Sequence, residues 1–362
     1  MALKGKLFLT IPLMNEYESL GSLLGDLRAQ TFQDFVPIFC VNQPDAWWDD
    51  PQKHGICLNN QKTIARLEQE NLIDCRIIDR SSPGKGWTGK HYGVGWARKT
   101  AMDEASKMAG PDDLMVTMDG DSLYPADYLG KVKLAFSENE EIKALAVPYY
   151  HKLTAKEPED RAVLRYEIYM RYFAVNMLRI KNPYAFTAIG SAMACTVKAY
   201  RDIRGITPHK SGEDFYFIQK LRKYGPVQID ADTIAYPAAR FSDRVFFGTG
   251  PAMIRGNAGD WSGYPVFPFG LFEEVKITFD RFKDLYNDEV ELPMSAFLHE
   301  KFGKSLWVEL RKNARSAGSF QRACIHKVDG LRILQYLKWR HHETTTTDEE
   351  NLLDFLRCFY PE

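Results

Sequence analysis

Leu114-Met115-Val116-Thr117-Met118-Asp119-Gly120-Asp121-Ser122 is an apolar run ending in two aspartates separated by one glycine. As a buried strand it delivers both carboxylates to its carboxyl end, where open α/β sheets place their ligands. The glycine between them lets a divalent ion and a diphosphate approach the backbone closely. The segment therefore reads as metal-assisted handling of a nucleotide. A plain strand followed by an Asp/Gly/Ser turn would carry the same residues.

The surroundings place this strand in an α/β sheet. Upstream, residues 7–11 read as a buried strand stopped by Pro12, and residues 19–30 as a helix with leucines at positions 20, 23, 24 and 27. Residues 35–41 read as a second strand. Residues 44–62 hold proline, two tryptophans, aspartate and asparagine without a clear period, and read as an inserted loop leading into a helix near 63–70. A third strand over 75–78, a glycine-rich turn and a helix from about 93 to 108 complete the approach to the aspartates. Beyond them, residues 144–148 and 188–197 read as strands, 160–181 as a long helix with an aromatic stripe, and 214–224 as a helix. Strands alternating with helices at this spacing predict a mostly parallel sheet. From about Pro251 the pattern changes to an aromatic and proline-rich loop, Trp261 to Phe272, and then to several helices. The run Thr344 to Thr347 reads as an exposed linker before a short last helix. The expected organisation is a sheet domain over residues 1–250, divided near 125, followed by a helical region over 251–362.

Composition narrows the function classes. Hydrophobic residues make up 45% and charged residues 26%, and 47 basic against 48 acidic residues leave a net charge of −1. No electrostatic footprint for nucleic acid is present. Six cysteines without paired metal spacing read as free thiols of a reducing compartment. The amino terminus leads directly into strand-like sequence, without the long apolar core of a signal peptide. No apolar run approaches the ~20 residues of a membrane span. The expectation is a cytoplasmic protein with no transmembrane segment.

Two further constellations carry chemistry. Gly84-Lys85-Gly86-Trp87-Thr88-Gly89 matches the dinucleotide fingerprint Gly-x-Gly-x-x-Gly. That fingerprint needs a strand immediately before it and a ribose-binding acid about 20 residues on. Here Arg80-Ser81-Ser82-Pro83 intervenes, which argues against a dinucleotide-binding dehydrogenase. Lys85 and Lys90 beside flexible glycines suit contacts to a diphosphate, or belong to a surface loop. Gly212-Glu213-Asp214 opens a helix, where negative charge is favoured and capping alone could explain the acids.

Taken together these segments resemble the family 2 glycosyltransferases, inverting enzymes with the GT-A nucleotide-sugar fold. The resemblance covers about residues 5 to 250. It rests on Ile11-Pro12-Leu13-Met14-Asn15-Glu16 at the end of the first strand, Gly84-Lys85-Gly86 before the metal strand, and Asp119-Gly120-Asp121 as the metal motif. Gly190-Ser191-Ala192-Met193-Ala194 matches the acceptor strand and Ser211-Gly212-Glu213-Asp214 the catalytic-base motif. Each is short, and their order and spacing carry the signal.

The resemblance implies a GT-A-like fold, a mostly parallel mixed sheet flanked by helices with a helical carboxyl-terminal extension. It implies transfer of a sugar from a nucleotide diphosphate to an acceptor hydroxyl. Asp214 would be the general base, and Asp119 and Asp121 would hold Mg²⁺ or Mn²⁺ against the diphosphate. Pro12, Asn15, Glu16, Lys85, Gly86, Lys90 and Gly120 would face the donor. Glu213, with Gly190 and Ser191, would face the acceptor. Arg240 and Arg244 can donate charge-assisted hydrogen bonds to the diphosphate, or pair at the surface. Trp261 and the aromatic loop are expected beside the acceptor opening, stacking on a sugar or touching a lipid tail, or else anchoring the carboxyl-terminal helices.

Three departures from the family pattern bear on specificity. Val41-Asn42-Gln43 stands where many relatives carry an acidic pair for uracil. The amide of Asn42 can offer both donor and acceptor to a pyrimidine edge, so a UDP-sugar is favoured over a GDP-sugar. No histidine lies between His209 and His299, which removes the downstream third metal ligand that some relatives use. A Gln-x-x-Arg-Trp motif is absent after the base, which argues against membrane-coupled polymer synthesis. The acceptor is left as a glycan, a lipid-linked sugar or a small molecule, with peripheral membrane contact open. The alternatives are a sugar-nucleotide pyrophosphorylase and a catalytically silent carbohydrate-binding scaffold.

Overall fold

The computed structural model describes residues 5–70, 74–243 and 248–361. Seven strands form one sheet: β1 (Leu7–Leu13), β2 (Phe35–Asn42), β3 (Arg76–Arg80), β4 (Leu114–Thr117), β5 (Ala144–Ala146), β6 (Met193–Thr196) and β7 (Val227–Gln228). Their spatial order is β3-β2-β1-β4-β6-β5-β7. β6 runs antiparallel to both of its neighbours, and the other pairings are parallel. All seven residues of β1 and all four of β4 are buried, which is why these central strands read as continuous apolar runs.

The chain divides into two compact units, Met1–Glu167 with Thr187–Asp260, and Ile168–Phe186 with Trp261–Glu362. The first contains the sheet and the helices α1 (Tyr17–Ala29), α2 (His54–Gln69), α3 (Val94–Met108), α4 (Tyr128–Glu138), the start of α5 (Glu157–Arg179), α6 (Val197–Asp202), α7 (Glu213–Tyr224) and α8 (Thr249–Asn257). α1 buries Leu20, Leu23, Leu24 and Leu27, the stripe its spacing predicts. α3 lays the small residues Gly95, Ala97, Ala101 and Ala105 on β1 and β2, which lets helix and sheet approach closely.

α4, α6 and β7 have no counterpart among the expected elements, and β1 and α2 depart from their expected bounds. β1 continues through Pro12 to Leu13. β4 pairs with β1 only as far as Thr10↔Thr117, so the missing N–H of Pro12 falls where one neighbour has already ended. The segment expected as a loop over 44–62 contains a short 3₁₀ turn (Asp45–Asp49) and the first half of α2. The buried stripe of α2 is Cys57, Asn60, Thr63 and Leu67, and its polar members hide the apolar period. Asn60 is held there by hydrogen bonds, donating to Gln43 Oε1 at 2.8 Å and accepting from the Asn15 N–H at 2.8 Å.

The second unit holds the rest of α5 and the helices α9 (Phe269–Asp280), α10 (Ser295–Phe302), α11 (Leu306–Lys312), α12 (Ala317–Lys327), α13 (Gly330–His341) and α14 (Asp348–Phe359). Its core includes the fully buried Phe267, Phe272, Phe282, Phe297, Phe320 and Tyr336. The aromatic loop supplies much of this packing. Phe267 lies edge-on to Phe272 and His341, Tyr264 meets Tyr169, and Phe269 meets Phe355 and Phe359. The exposed threonine run ends at Thr347, which caps α14 in a capping box with Glu350. No helix among the described residues is long and apolar enough to cross a membrane.

Candidate active site

The register of the sheet assembles the site. β1 and β4 are parallel and end at the same edge, and antiparallel β6 begins there, because Met193 pairs with Thr117. The residues just after β4 therefore meet the residues just before β6. A cleft of about 260 Å³ opens at this edge of the first unit, lined by Pro12, Glu16, Asp119, Gly120, Asp121, Gly190, Ser191, Glu213, Asp214 and Arg240 among others. Tyr124 ties the two loops: its hydroxyl accepts from the Asp119 N–H at 2.9 Å and donates to Ser191 O at 3.2 Å.

Arg98, on α3, is the electrostatic centre of the cleft. Its side chain is 1% exposed, and it reaches Asp119 Oδ1 at 2.9 Å, Glu213 Oε1 at 3.2 Å and Gly190 O at 2.9 Å. Burial opposes its charge, but Asp119 and Glu213 more than offset this and hold it firmly protonated. One guanidinium thus joins the loop after β4, the loop before β6 and the start of α7. Gly190 is required for that approach, since a Cβ there would lie 2.3 Å from Arg98 Nη2. Gly190→Ala is expected to cost about 1–3 kcal/mol of stability through this overpacking, read as a lowered midpoint in thermal unfolding.

Glu213 and Asp214 occupy the first turn of α7, after Gly212 in a left-handed conformation (φ 74°). The Glu213 carboxyl is raised above its ordinary range by burial, even with Arg98 alongside. Burial and then the neighbouring Glu213 push Asp214 up to about 7. The helix amino terminus favours a negative charge at this position. The Phe215 N–H that Asp214 accepts at 2.7 Å lowers its pKa too little to balance burial and a like charge.

Arg240 also lines the cleft. It donates to Glu16 Oε1 at 2.8 Å and pairs with Asp121. Among the described residues, the carboxyl groups of Glu16, Asp119, Asp121, Glu213 and Asp214 line the cleft together with the two guanidinium groups of Arg98 and Arg240. That excess of acid would repel a diphosphate unless a cation accompanied it. Asp119 and Asp121 are hard oxygen donors suited to Mg²⁺ or Mn²⁺. No cluster of three or more His, Cys, Asp or Glu side chains among the described residues is arranged to hold a metal. The donor set thus fits an ion that takes the rest of its shell from phosphate and water.

The other residues expected at the site are divided between the cleft lining and positions outside it. Lys85, Gly86 and Lys90 are not among the lining residues. Asp45 Oδ1 accepts from the N–H groups of Gly84 and Gly86, and a Cβ on Gly86 would lie 2.6 Å from the Asp45 backbone. Lys85 pairs with Asp79 at 3.0 Å. Burial works against the Asp79 charge, but hydrogen bonds from Ser82, Ser81 and Lys85 hold its carboxyl well below the usual range. The glycine-lysine turn is therefore fastened to the 3₁₀ turn and β3. Asn15 is exposed and absent from the lining, its left-handed backbone (φ 58°) turning the chain into α1. Asn42 lines the cleft at 3% exposure, with its amide donating to Leu13 O at 3.0 Å and accepting from Trp87 Nε1 at 3.2 Å. At Gly120 a Cβ would meet Leu13 Cδ2 at 2.4 Å, so a side chain there would have to displace the end of a buried leucine. Trp261 belongs to the second unit and is not a lining residue. Arg244 lies outside the described residues.

Arg98 and His151 are among the lining residues that the sequence reading did not single out. Arg98 occupies the Ala101/Ala105 face of α3 at helical spacing, and an arginine on a small-residue face was the available signal. His151 follows β5 at the same sheet edge as the aspartates, and nothing in its local pattern marks it.

The sheet order, with β6 reversed and paired aspartates following β4, defines a GT-A-like fold. No family model matches the chain, and no curated protein does. Among solved structures it is similar to the mannosyltransferase PcManGT from Pyrobaculum calidifontis in complex with GDP-Man and Mn²⁺, at 13% identity, 99% of this chain, 88% of that chain and TM-score 0.45. It is similar to S. aureus TarS 1-349 in complex with UDP, at 12% identity, 94% and 93% coverage and TM-score 0.46. It is also similar to glucosyl-3-phosphoglycerate synthase from Mycobacterium tuberculosis in complex with Mn²⁺, UDP-Glc and phosphoglyceric acid, at 10% identity, 62% and 69% coverage and TM-score 0.37. Likenesses of this depth leave the activity to be read from the cleft itself.

Proposed function

We propose that this protein is an inverting, metal-dependent glycosyltransferase that moves a sugar from a nucleotide diphosphate to an acceptor hydroxyl. The observation that carries the reading is the convergence of Asp119 and Asp121 with Asp214 in one cleft, joined through Arg98 and Glu213. Asp214 takes the proton of the acceptor hydroxyl as its oxygen bonds to the anomeric carbon, while the bond from that carbon to the diphosphate oxygen breaks on the opposite face. A base near neutrality is well matched to this task. Glu213, anchored on Arg98, orients Asp214 and raises its proton affinity. Asp119 and Asp121 would hold Mg²⁺ or Mn²⁺, which when bound supplies positive charge against the departing diphosphate. Arg240 can add charge-assisted hydrogen bonds on the same side.

The preference for UDP over GDP rested on the Asn42 amide, which is engaged by Leu13 and Trp87. Base choice therefore falls to experiment. All six cysteines are free, in keeping with a cytoplasmic enzyme. The test is a screen of UDP- and GDP-sugars for hydrolysis with and without Mg²⁺ or Mn²⁺. Turnover that is insensitive to metal, or none at all, would overturn the reading. In the same system, Asp121→Ala is expected to abolish Mn²⁺-dependent binding of nucleotide diphosphate, because the cleft then has one metal carboxylate left. Calorimetry with UDP and GDP checks this, and unchanged affinity for whichever nucleotide binds the wild type would refute the metal assignment.

A further inference from the structure

Resting on that reading, we propose that Glu167, His151 and Thr249 form a hydrogen-bonded chain that seats a hydroxyl group of the acceptor in the cleft. The His151 side chain is 1% exposed. Its Nδ1 lies 2.8 Å from Glu167 Oε1, and the same oxygen accepts the His151 backbone N–H at 2.7 Å. The ring stands edge-on to Tyr149, with centroids 5.8 Å apart. In the tautomer with its proton on Nδ1, facing the carboxylate, Nε2 of the ring is an acceptor. Nε2 lies 3.3 Å from Thr249 Oγ1. In that tautomer the threonine hydroxyl donates inward to the ring.

A threonine hydroxyl ordinarily rotates to suit any neighbour. Here its hydrogen is committed, so the oxygen lone pairs are what Thr249 offers to a ligand. Both His151 and Thr249 line the cleft that holds Asp214. The chain thus presents a fixed acceptor that recognises an O–H donor and gives nothing to an ether or a deoxy position. The assignment to the acceptor substrate rests on the cleft these residues share with Asp214, the group that takes the acceptor proton. A buried Glu–His pair serving only to brace the fold would not need its free nitrogen directed at a hydroxyl in the cleft wall.

The experiment uses the full chain with the best donor from the hydrolysis screen and three probes, the methyl α-glycosides of glucose, mannose and galactose. ¹⁵N spectra of the imidazoles should show His151 as the Nδ1–H tautomer. Thr249→Val should raise the KM of the best glycoside about ten-fold, the loss of one hydrogen bond, with kcat within about two-fold. Its calorimetric affinity for the nucleotide diphosphate with Mn²⁺ should be unchanged, and Thr249→Ser should restore the KM. An unchanged KM in Thr249→Val, an Nε2–H tautomer, or a kcat that falls with intact KM overturns the proposal. Persistent donor hydrolysis without transfer to any of the three glycosides overturns this proposal alone. A wild-type protein that hydrolyses no nucleotide sugar overturns the glycosyl-transfer reading as well.

Discussion

Asp214→Asn is expected to lower the turnover of transfer by about 10²- to 10⁴-fold, roughly 3 to 5 kcal/mol of barrier, while nucleotide and metal binding stay near wild type. The amide keeps the shape of the side chain and can still accept the Phe215 N–H, so the loss should be chemical. Because Asp214 sits at about 7, wild-type transfer should be on a plateau above neutrality and fall as the pH drops below it, where the base is protonated. The stability sign runs the other way. Between its ordinary 3.8 and about 7 the folded protein holds a proton at Asp214 that the unfolded chain has lost, so this group costs stability as the pH rises through that window. The Asn variant should therefore be at least as stable as wild type at pH 7. Turnover above about a tenth of wild type, measured with a working acceptor, rules Asp214 out as the base and makes Glu213 the next candidate.

Arg98→Met is expected to destabilise the protein by about 3–5 kcal/mol, because it strands buried carboxylates that the guanidinium had paired. A fall of the thermal midpoint on the order of 10 °C should follow. Most of the cost should come from Glu213, whose side chain is 4% exposed, against 30% for Asp119. Two further measurements separate this charge effect from lost packing. The deficit should shrink as the pH falls, since protonating Glu213 removes the stranded charge. The double variant Arg98→Met with Glu213→Gln should recover part of it. Arg98→Lys should be intermediate, because an ammonium cannot reproduce the fork that reaches Asp119, Glu213 and Gly190 O together. A single variant as stable as wild type at pH 7 would refute the account of Arg98 as the charge that holds the cleft together.

The central strands and α1 were legible because each carries a pattern set by its own burial, whereas the two-residue β7 is too short to carry one. β1 and β4 are apolar throughout since both faces are covered, and the α1 leucines recur at helical spacing. α2 was half hidden because its buried stripe is partly polar, and a hydrogen-bonded asparagine leaves no hydrophobic signature. The paired aspartates and Glu213-Asp214 were legible as candidates, since acids directly after an apolar run or at a helix start stand out locally. The glycine-lysine turn stands out for the same local reason. Gly84-Lys85-Gly86 has the composition of a phosphate loop, while Asp45, 39 residues before Gly84 in the chain, binds its N–H groups and Asp79 its lysine.

What the sequence determined by itself is the α/β class, the order of the central elements and the short list of acids that can do chemistry, because periodicity and turn chemistry are local. Only the tertiary structure decided how those acids are wired. The antiparallel register of β6 brings Gly190 beside Asp119, and α3 carries Arg98 between that pair and Glu213. The proton affinity of Asp214 depends on that wiring, because it follows from burial and from the charge of a neighbour whose own position Arg98 holds. Desolvation and Coulomb interactions are set by distance in space, and no spacing along the chain encodes them.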